Sequence, residues 1–447
     1  MVTAPQVGRA APPQAAAPDR WPVRDLARRV ERALDFAEAA IELAAAEHPD
    51  VDLKALEALP DKIIAETAMF LRAAVGVPAA LAPNVHARAD ALARVLAPLA
   101  RHRRVEIGIA LHPALALDYG AAHIVLACAG YPDATFEDSL AMSLAASTAH
   151  ARERLPHREL EQAWLASLRG GPEPSPETLG RTALVRGIDL LTGSRDDVYA
   201  LTHAVLYASD FGNRSVDLAD AEGSQAVDMA RSALAGALDD DDFDLAGELL
   251  LTWPFLGADW DETASLAFAI LAQVEDEVGV LPSLALDREA YERQSESSRK
   301  SYVAAAAYHT AYVMGLLCAA MLTCDSRAEV LADDPVSTGA LVCADSLLAR
   351  LVASNRRPQW LRYVEAAPRQ AHGAATALLL DVAVRRAIRQ LELGVVRELL
   401  ELAVDHGYAR SPLCLQAAGL LRRVAMLTSP EALRDASGSA MAGGVAR

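Results

Sequence analysis

The sequence predicts an all-α fold. Apolar residues recur at helical spacing almost everywhere between Trp21 and Leu427, with interruptions at clusters of Gly, Pro and Asp. About half of the chain, 52%, is hydrophobic, yet only 5% is aromatic and alanine is abundant. That composition favours closely packed helices over a sheet.

The helical spacing also divides the chain into elements and tails. Residues 1–20 are rich in Ala and Pro and lack the apolar core of a signal peptide, so we expect a disordered tail there. Residues 429–447 have the same character and predict a second tail, which leaves 21–428 as a single α/α domain. Helices are predicted at 22–47, 52–75, 85–101, 113–129, 135–153, 157–169, 176–191, 196–209, 217–238, 243–253, 261–279, 287–323, 336–354, 369–391, 394–406 and 411–427.

An internal repeat indicates how the helices are arranged. The segment FDLAGELLLTWPFLGADWDETASLAFAILAQV, from Phe243, aligns without a gap with LGVVRELLELAVDHGYARSPLCLQAAGLLRRV, from Leu393. Each copy predicts one helix, a glycine stop at Gly257 or Gly407, and a second helix. Helical hairpins of this kind stack either into a closed α/α toroid or into an open helical-repeat superhelix.

The segment from Tyr302 to Cys324 favours the toroid. It carries no formally charged residue over 23 positions, which is long enough to cross a bilayer. It also contains three tyrosines, a histidine and two threonines, which make it a poor lipid-facing helix. We therefore expect a buried inner helix and no membrane span.

Charge and cysteine content exclude several classes of function. A formal net charge of -18 argues against binding to nucleic acid or to an anionic membrane surface. The five cysteines form no CxxC pair and predict buried thiols in a reducing cytoplasm. The sequence also contains no recognisable zinc signature, Walker loop, GxSxG or HExxH motif.

The segment DDVYALTHAVLYASDFGNR contains the first candidate site. Tyr199, His203, Tyr207 and Asp210 share one helical face. His203 and Asp210 could form a general acid/base pair, with Tyr207 as an orienting hydroxyl. The alternative is a core histidine bonded to a backbone carbonyl, with Asp210 capping the helix or pairing with Arg214.

The second candidate is His309, inside the uncharged segment and next to Tyr308. A titratable group in so apolar a stretch needs a hydrogen-bonding partner or must stay neutral. Facing a central cavity, His309 could act as a base or as a metal ligand.

The acidic run LDDDDFDLAGE contains two motif-like spacings. Asp240, Asp241 and Asp244 form a DDxxD arrangement, which resembles the magnesium-diphosphate motif of class I terpene synthases. Asp239, Asp241 and Asp242 form a DxDD arrangement, which resembles the proton-donor motif of class II cyclases. Four consecutive aspartates generate both patterns trivially, and carboxylates before a helix also serve as N-caps.

The segments LTHAVLYASDFGNR and AAYHTAYVMGLL, in a helical chain of this length, resemble a poorly characterised group of bacterial proteins of natural-product biosynthesis, particularly of ribosomally made modified peptides. If the fold is a toroid, its nearest functional analogue is similar to the lanthionine cyclases. In those enzymes a zinc held by two Cys and one His activates a peptide thiol. This sequence lacks such a set, so the resemblance implies a cyclase in which His203 and His309 act as base and acid, helped by Asp210 or Tyr308.

Three functional hypotheses follow. The first is a cytoplasmic tailoring enzyme, such as a lanthionine-forming cyclase, that acts on a peptide or small molecule with no cofactor. The second is a non-catalytic helical-repeat scaffold whose acidic surface binds partner biosynthetic enzymes or a leader peptide. The third is a terpene cyclase that uses Mg²⁺ at the acidic run from Asp239 to Asp244.

Overall fold

The computed structural model describes residues 21–46, 51–56, 58–324, 338–354, 357–366, 372–373 and 375–428. Every regular element in these ranges is helical, which confirms the all-α prediction. Both predicted tails lie outside the described residues. The α-helices are α1 Val23–Ala45, α2 Pro60–Gly76, α3 Pro83–Ala100, α4 Arg103–Leu111, α5 Ala116–Cys128, α6 Ala134–Leu144, α7 Pro156–Leu168, α8 Pro176–Gly180, α9 Ala183–Arg186, α10 Arg195–Ala208, α11 Asp220–Asp239, α12 Phe243–Leu250, α13 Thr252–Leu256, α14 Glu262–Val278, α15 Arg288–Arg293, α16 Glu296–Thr323, α17 Thr338–Val352, α18 Leu361–Ala366, α19 Thr376–Arg389, α20 Leu393–Asp405 and α21 Pro412–Thr428.

Two of the predicted helices differ from the structure, one in where it begins and one in being divided. The helix expected from residue 52 starts at Pro60. Proline is favoured at the first helical position, because a backbone N–H there would have no partner within the helix and proline has none. The helix expected over 287–323 is divided into α15 and α16. Ser295 makes that break, since its hydroxyl accepts a hydrogen bond from the backbone N–H of Ser298 and caps α16.

Helix α16 runs through the interior of the protein. It packs against α1 along much of its length and against α2 and α12 on its other sides. Among the described residues it is the single helix that is long and apolar enough to cross a membrane by itself. Helix α4 and residues 113–128 are long and apolar enough only when taken together, and they are bent by 119° relative to each other. Because 89% of the most apolar window of α16 is buried, this apolar surface is covered by the protein's own helices, as expected for an inner helix.

The internal repeat appears as matching elements 150 residues apart. Helices α14 and α21 share the same bounds after that shift, and α20 corresponds to α12 followed by α13. Gly257 and Gly407 both adopt positive φ, 67° and 81°, at the ends of the preceding helices. Asp241 and Leu391, also 150 residues apart, have φ of 53° and 58°. Whether the hairpins close into a toroid or form an open superhelix stays a prediction.

Candidate functional site

Helices α2, α7, α10, α12 and α16, with Phe211 after α10 and Leu251 after α12, surround a cavity of about 300 Å³. The two histidines singled out in the sequence, His203 and His309, both line it. The full lining is Lys62, Ala65, Glu66, Met69, Phe70, Arg158, Glu161, His203, Leu206, Tyr207, Phe211, Glu248, Leu251, His309, Tyr312, Val313 and Leu316.

His309 is surrounded by three carboxylates. Its Nδ1 lies 3.0 Å from Glu66 Oε2 on α2. Its Nε2 lies 3.3 Å from Asp244 Oδ1 and 3.5 Å from Glu248 Oε1, both on α12. The imidazole therefore bridges α2 and α12 from its place on α16.

Helix α10 holds the two α12 carboxylates through their outer oxygens. The Tyr199 hydroxyl donates to Asp244 Oδ2 at 2.7 Å, and Arg195 Nη2 donates to the same oxygen at 3.2 Å. The Thr202 hydroxyl donates to Glu248 Oε2 at 2.6 Å. These bonds turn Asp244 Oδ1 and Glu248 Oε1 towards His309.

The local sequence explains why these side chains converge. Asp244 and Glu248 are four residues apart on α12, so they lie on one face of that helix. Asp242 starts α12 as its N-cap, accepting from the backbone N–H of Leu245 at 3.2 Å. Tyr199 and Thr202 are three apart on α10 and present their hydroxyls to that same face.

Two buried atoms in this cluster have no hydrogen-bond partner, namely Asp244 Oδ1 and His309 Nε2. Asp244 is only 6% exposed and Glu248 only 3%. Buried polar atoms are nearly always satisfied, and an exception calls for a bound ion or a specific role. Asp244, Glu248 and His309 each offer one ligand atom, and the three atoms lie within 4.8 Å of one another.

The cluster shifts the proton affinities of its members. Burial lowers the pKa of His309, but Asp244, Glu66 and Glu248 outweigh burial and hold that pKa well above its usual value. Burial raises the pKa of Glu66, but His309 outweighs it and leaves the pKa low. Glu248 keeps a raised pKa because burial dominates there. A protonated imidazole, or another cation in its place, would balance the negative charge around it.

His203 lies beside the cluster without joining the three-atom group. Its Nε2 is 3.9 Å from Glu248 Oε1, and its ring packs edge-on against Tyr199 at 5.0 Å between centroids. Burial, reinforced by Arg158, lowers the pKa of His203 to about 3. This imidazole is accordingly neutral throughout the physiological pH range.

The two candidate tyrosines have different surroundings. Tyr207 lines the cavity and donates to Glu161 Oε1 at 2.9 Å. Tyr308 packs edge-on against Tyr312 with ring centroids 5.4 Å apart. Burial and the charge of Glu66 raise the pKa of Tyr308. Tyr207 therefore borders the cavity, whereas Tyr308 is not among its lining residues.

Asp210 lies apart from both histidines. It follows the end of α10 with a φ of 50°. Trp164 Nε1 donates to its Oδ1 at 2.7 Å, and Arg72 Nε donates to the same oxygen at 3.2 Å. Arg214 does not pair with it, since its guanidinium donates to the backbone carbonyl of Ala208. The structure does not bring Asp210 together with His203 as an acid/base pair.

The acidic run is divided among several partners. Asp239 is fully buried and is paired with Arg386, whose Nε donates to Asp239 Oδ1 at 3.0 Å. Asp240 pairs with Arg385 and Arg389. Asp241 Oδ1 accepts from the backbone N–H of Gln359 at 2.9 Å. Asp244 is the member of the run that reaches the His309 cluster.

Sequence reasoning missed Glu66 and Glu248 and placed Asp244 in a different motif. The available signal was local, because Asp244 and Glu248 are two carboxylates four apart in FDLAGELL, an otherwise apolar helix. Carboxylates on a buried face need a partner. Glu66, in IIAETAMF, gives the same signal on α2.

Comparison with known proteins identifies one family. No curated protein and no solved structure matches the chain. The family model described as "Domain of unknown function (DUF6895)" matches residues 30–319, a range that contains Glu66, His203, Asp244, Glu248 and His309. The chain therefore belongs to the DUF6895 family.

Proposed function

We propose that this protein is a metal-dependent enzyme whose divalent cation is bound by Asp244, Glu248 and His309. A single observation carries the proposal. Each of the three residues has one polar atom held by a neighbour, through Tyr199, Thr202 and Glu66, and directs its other polar atom to a common point.

The distances suit coordination to one ion. Nitrogen and oxygen ligands about 2.0 to 2.2 Å from a tetrahedral ion stand roughly 3.4 Å from one another. His309 Nε2 lies 3.3 Å from Asp244 Oδ1 and 3.5 Å from Glu248 Oε1. Metal-binding histidines usually donate their second N–H to a carboxylate, and Glu66 occupies that position on His309.

The ligand types limit the choice of metal. One imidazole and two carboxylates, with no thiolate, suit Zn²⁺, Mn²⁺ or Fe²⁺. Three protein ligands leave a coordination position open, as in catalytic sites. Glu248 and His309 line the cavity, so that position would face a bound substrate. A metal there supplies a Lewis acid or an activated water.

Metal analysis of the purified protein tests the proposal. The protein is stripped with a chelator, reloaded separately with Zn²⁺, Mn²⁺ and Fe²⁺, and its metal content is measured. We expect one ion per chain in the wild type and loss of that ion in Asp244→Asn, Glu248→Gln and His309→Ala. Glu161→Gln is the matched control, because Glu161 is a buried carboxylate of the same cavity outside the cluster.

Two results would overturn the proposal. One is a wild-type protein that binds none of the three ions. The other is equal metal content in the wild type and the three ligand variants. Thermal unfolding gives a second readout, since an ion present at about 100 times its dissociation constant stabilises the folded state by about 2.7 kcal/mol.

A metal-free acid/base enzyme is the second candidate function. It is favoured by the contact of His309 with three carboxylates, which would hold the imidazole in its protonated form as a proton donor. The two candidates differ in one measurement, because a chelator abolishes turnover by the metal enzyme and leaves the acid/base enzyme active.

The biosynthetic setting that we propose is the tailoring of a ribosomal peptide, including lanthionine formation. Support comes from the resemblance of the two segments that carry His203 and His309, both of which line one cavity. If product formation by the purified pathway survives alanine replacement of both histidines in a folded protein, this role is wrong, and the scaffold role gains support.

The terpene-cyclase alternative would need Asp240, Asp241 and Asp244 to bind one ion, and each of these side chains has a different partner.

A further inference from the structure

The cavity beside the histidine–carboxylate cluster has both an apolar and a polar lining. The apolar part is formed by Phe70, Phe211, Leu251, Val313 and Leu316. The polar part includes Glu66, Glu248 and His309 of the cluster. Two basic side chains, Lys62 and Arg158, also line this cavity.

Lys62 is the first of these basic residues. It lies on α2 one turn before Glu66, and its Nζ is 4.0 Å from Glu66 Oε1. That separation is too long for a hydrogen bond. The side chain is 46% exposed, so its ammonium group can reach a ligand at the rim of the cavity.

Arg158, on α7, is the second. Its Nη1 donates to Glu161 Oε2 at 2.8 Å, and its side chain is 49% exposed. The other Glu161 oxygen already accepts from the Tyr207 hydroxyl. A guanidinium has five N–H donors, so Arg158 keeps donors for a ligand oxygen.

The position of these two cations is informative because the protein as a whole is strongly acidic. A net charge of -18 repels anions from the surface at large. Within the cluster, a divalent metal would offset the charges of Asp244 and Glu248, and the third carboxylate, Glu66, contacts His309 and lies 4.0 Å from Lys62. Lys62 and Arg158 are each half-exposed beside a carboxylate partner and keep N–H donors that can bind an anion in the same cavity.

We infer that the substrate joins an anionic headgroup, a carboxylate or phosphate, to an apolar body. Lys62 and Arg158 bind the headgroup, and the wall of Phe70, Phe211 and Leu316 contacts the body. A cavity of about 300 Å³ is at the small end of ligand sites, so it accepts a small molecule or one terminus or side chain of a peptide. This inference rests on the proposed function for its reacting centre.

Calorimetric titration of the metal-loaded wild-type protein tests the inference with four probes that share one chain length. These are octanoate, octyl phosphate, octylamine and octanol. We expect the two anions to bind roughly tenfold or more tighter than octanol, as charge-assisted hydrogen bonds require, and octylamine to bind most weakly. Affinity should also rise roughly fourfold for each methylene group between butyrate and octanoate that the cavity buries.

Two matched pairs of variants assign the headgroup site. Lys62→Met and Arg158→Met should each weaken octanoate binding about tenfold and leave octanol binding unchanged. Lys54→Met and Arg103→Met remove exposed cations outside the cavity and should change neither. Circular dichroism of each variant checks that the fold is retained.

The inference is overturned if octanol or octylamine binds as tightly as octanoate, if both cavity variants bind octanoate normally, or if no anionic probe binds at millimolar concentration. The metal content of each sample is measured separately. A protein that holds no metal overturns the proposed function, while the headgroup preference of the same sample still decides this inference.

Discussion

At the residue scale, the candidate site depends on how each polar group divides its hydrogen bonds. Asp244 Oδ2 accepts hydrogen bonds from Tyr199 and Arg195, and Glu248 Oε2 accepts one from Thr202. The remaining oxygens face His309 in surroundings from which water is largely excluded. Outer partners of this kind fix the orientation of metal ligands, so the effect of removing one can be predicted.

Thr202→Val should weaken metal binding by about 10- to 100-fold, because it removes the hydroxyl that orients Glu248 while keeping the shape of the side chain. Competition with a chelating dye measures the change. Thr182→Val is the matched control, since Thr182 is also fully buried and its hydroxyl donates to a backbone carbonyl, that of Leu179. Equal metal affinity in the two variants would argue against an orienting role for Thr202.

At the scale of elements, the site needs α16 to approach α1 and α2 closely. Gly315 allows this, because a Cβ atom at that position would clash with Ala33 Cβ on α1 and lie 2.8 Å from Phe70 Cε2 on α2. Two turns earlier on the same helix, His309 meets Glu66 of α2. The close packing of α16 therefore sets the distance between His309 and its carboxylate partner.

Gly315→Ala should destabilise the protein by about 1 to 3 kcal/mol, because overpacking forces the backbones of α1 and α16 apart. Gly223→Ala is the control within another helix, α11, where a Cβ meets nothing within 4 Å. That change should stabilise the protein by about 0.5 to 1 kcal/mol. Chemical denaturation measures both, and a neutral Gly315→Ala would contradict the close contact.

At the scale of the whole molecule, buried polar pairs link α19 to α11 and to Ser411, the residue before α21. Asp239 at the end of α11 is paired with Arg386 on α19. Asp381, also on α19, accepts from the Ser411 hydroxyl at 3.2 Å. Burial, only partly offset by Ser232 and Ser411, raises the pKa of Asp381 to about 7.

The raised pKa of Asp381 makes folding stability depend on pH. In the unfolded chain this carboxyl releases its proton near its ordinary value, whereas the folded protein retains the proton until about pH 7. The stabilisation is complete below the unfolded pKa and is lost as pH rises through the folded one. Between pH 5 and pH 8 the wild type should therefore lose roughly 2 to 3 kcal/mol from this group.

Asp381→Asn removes the titrating group while keeping its shape. We expect the free energy of unfolding of this variant, minus that of the wild type, to increase from pH 5 to pH 8. Urea denaturation at each pH provides the comparison, in which other titrating groups cancel between the two proteins. A constant difference across that range would mean that Asp381 does not titrate there.

Local patterns were sufficient for much of the fold. Apolar spacing predicted helices throughout, the uncharged stretch from Tyr302 predicted an inner helix, and Gly257 and Gly407 predicted helix ends. Those features depend on residues close together in the chain. The prediction missed α4 entirely and extended α6 too far, to residue 153. It was also wrong at Pro60 and Ser295, because one residue there outweighs the periodicity around it.

The sequence by itself therefore determined an all-helical protein with a repeated hairpin and two notable histidines. Only the tertiary structure decided which groups meet those histidines. Glu66 and His309 are 243 residues apart in the chain, and Asp210, just seven residues from His203, is held elsewhere by Trp164 and Arg72. Helical periodicity specifies which face of a helix is buried but not which neighbour covers it, because that choice depends on the packing of the whole chain.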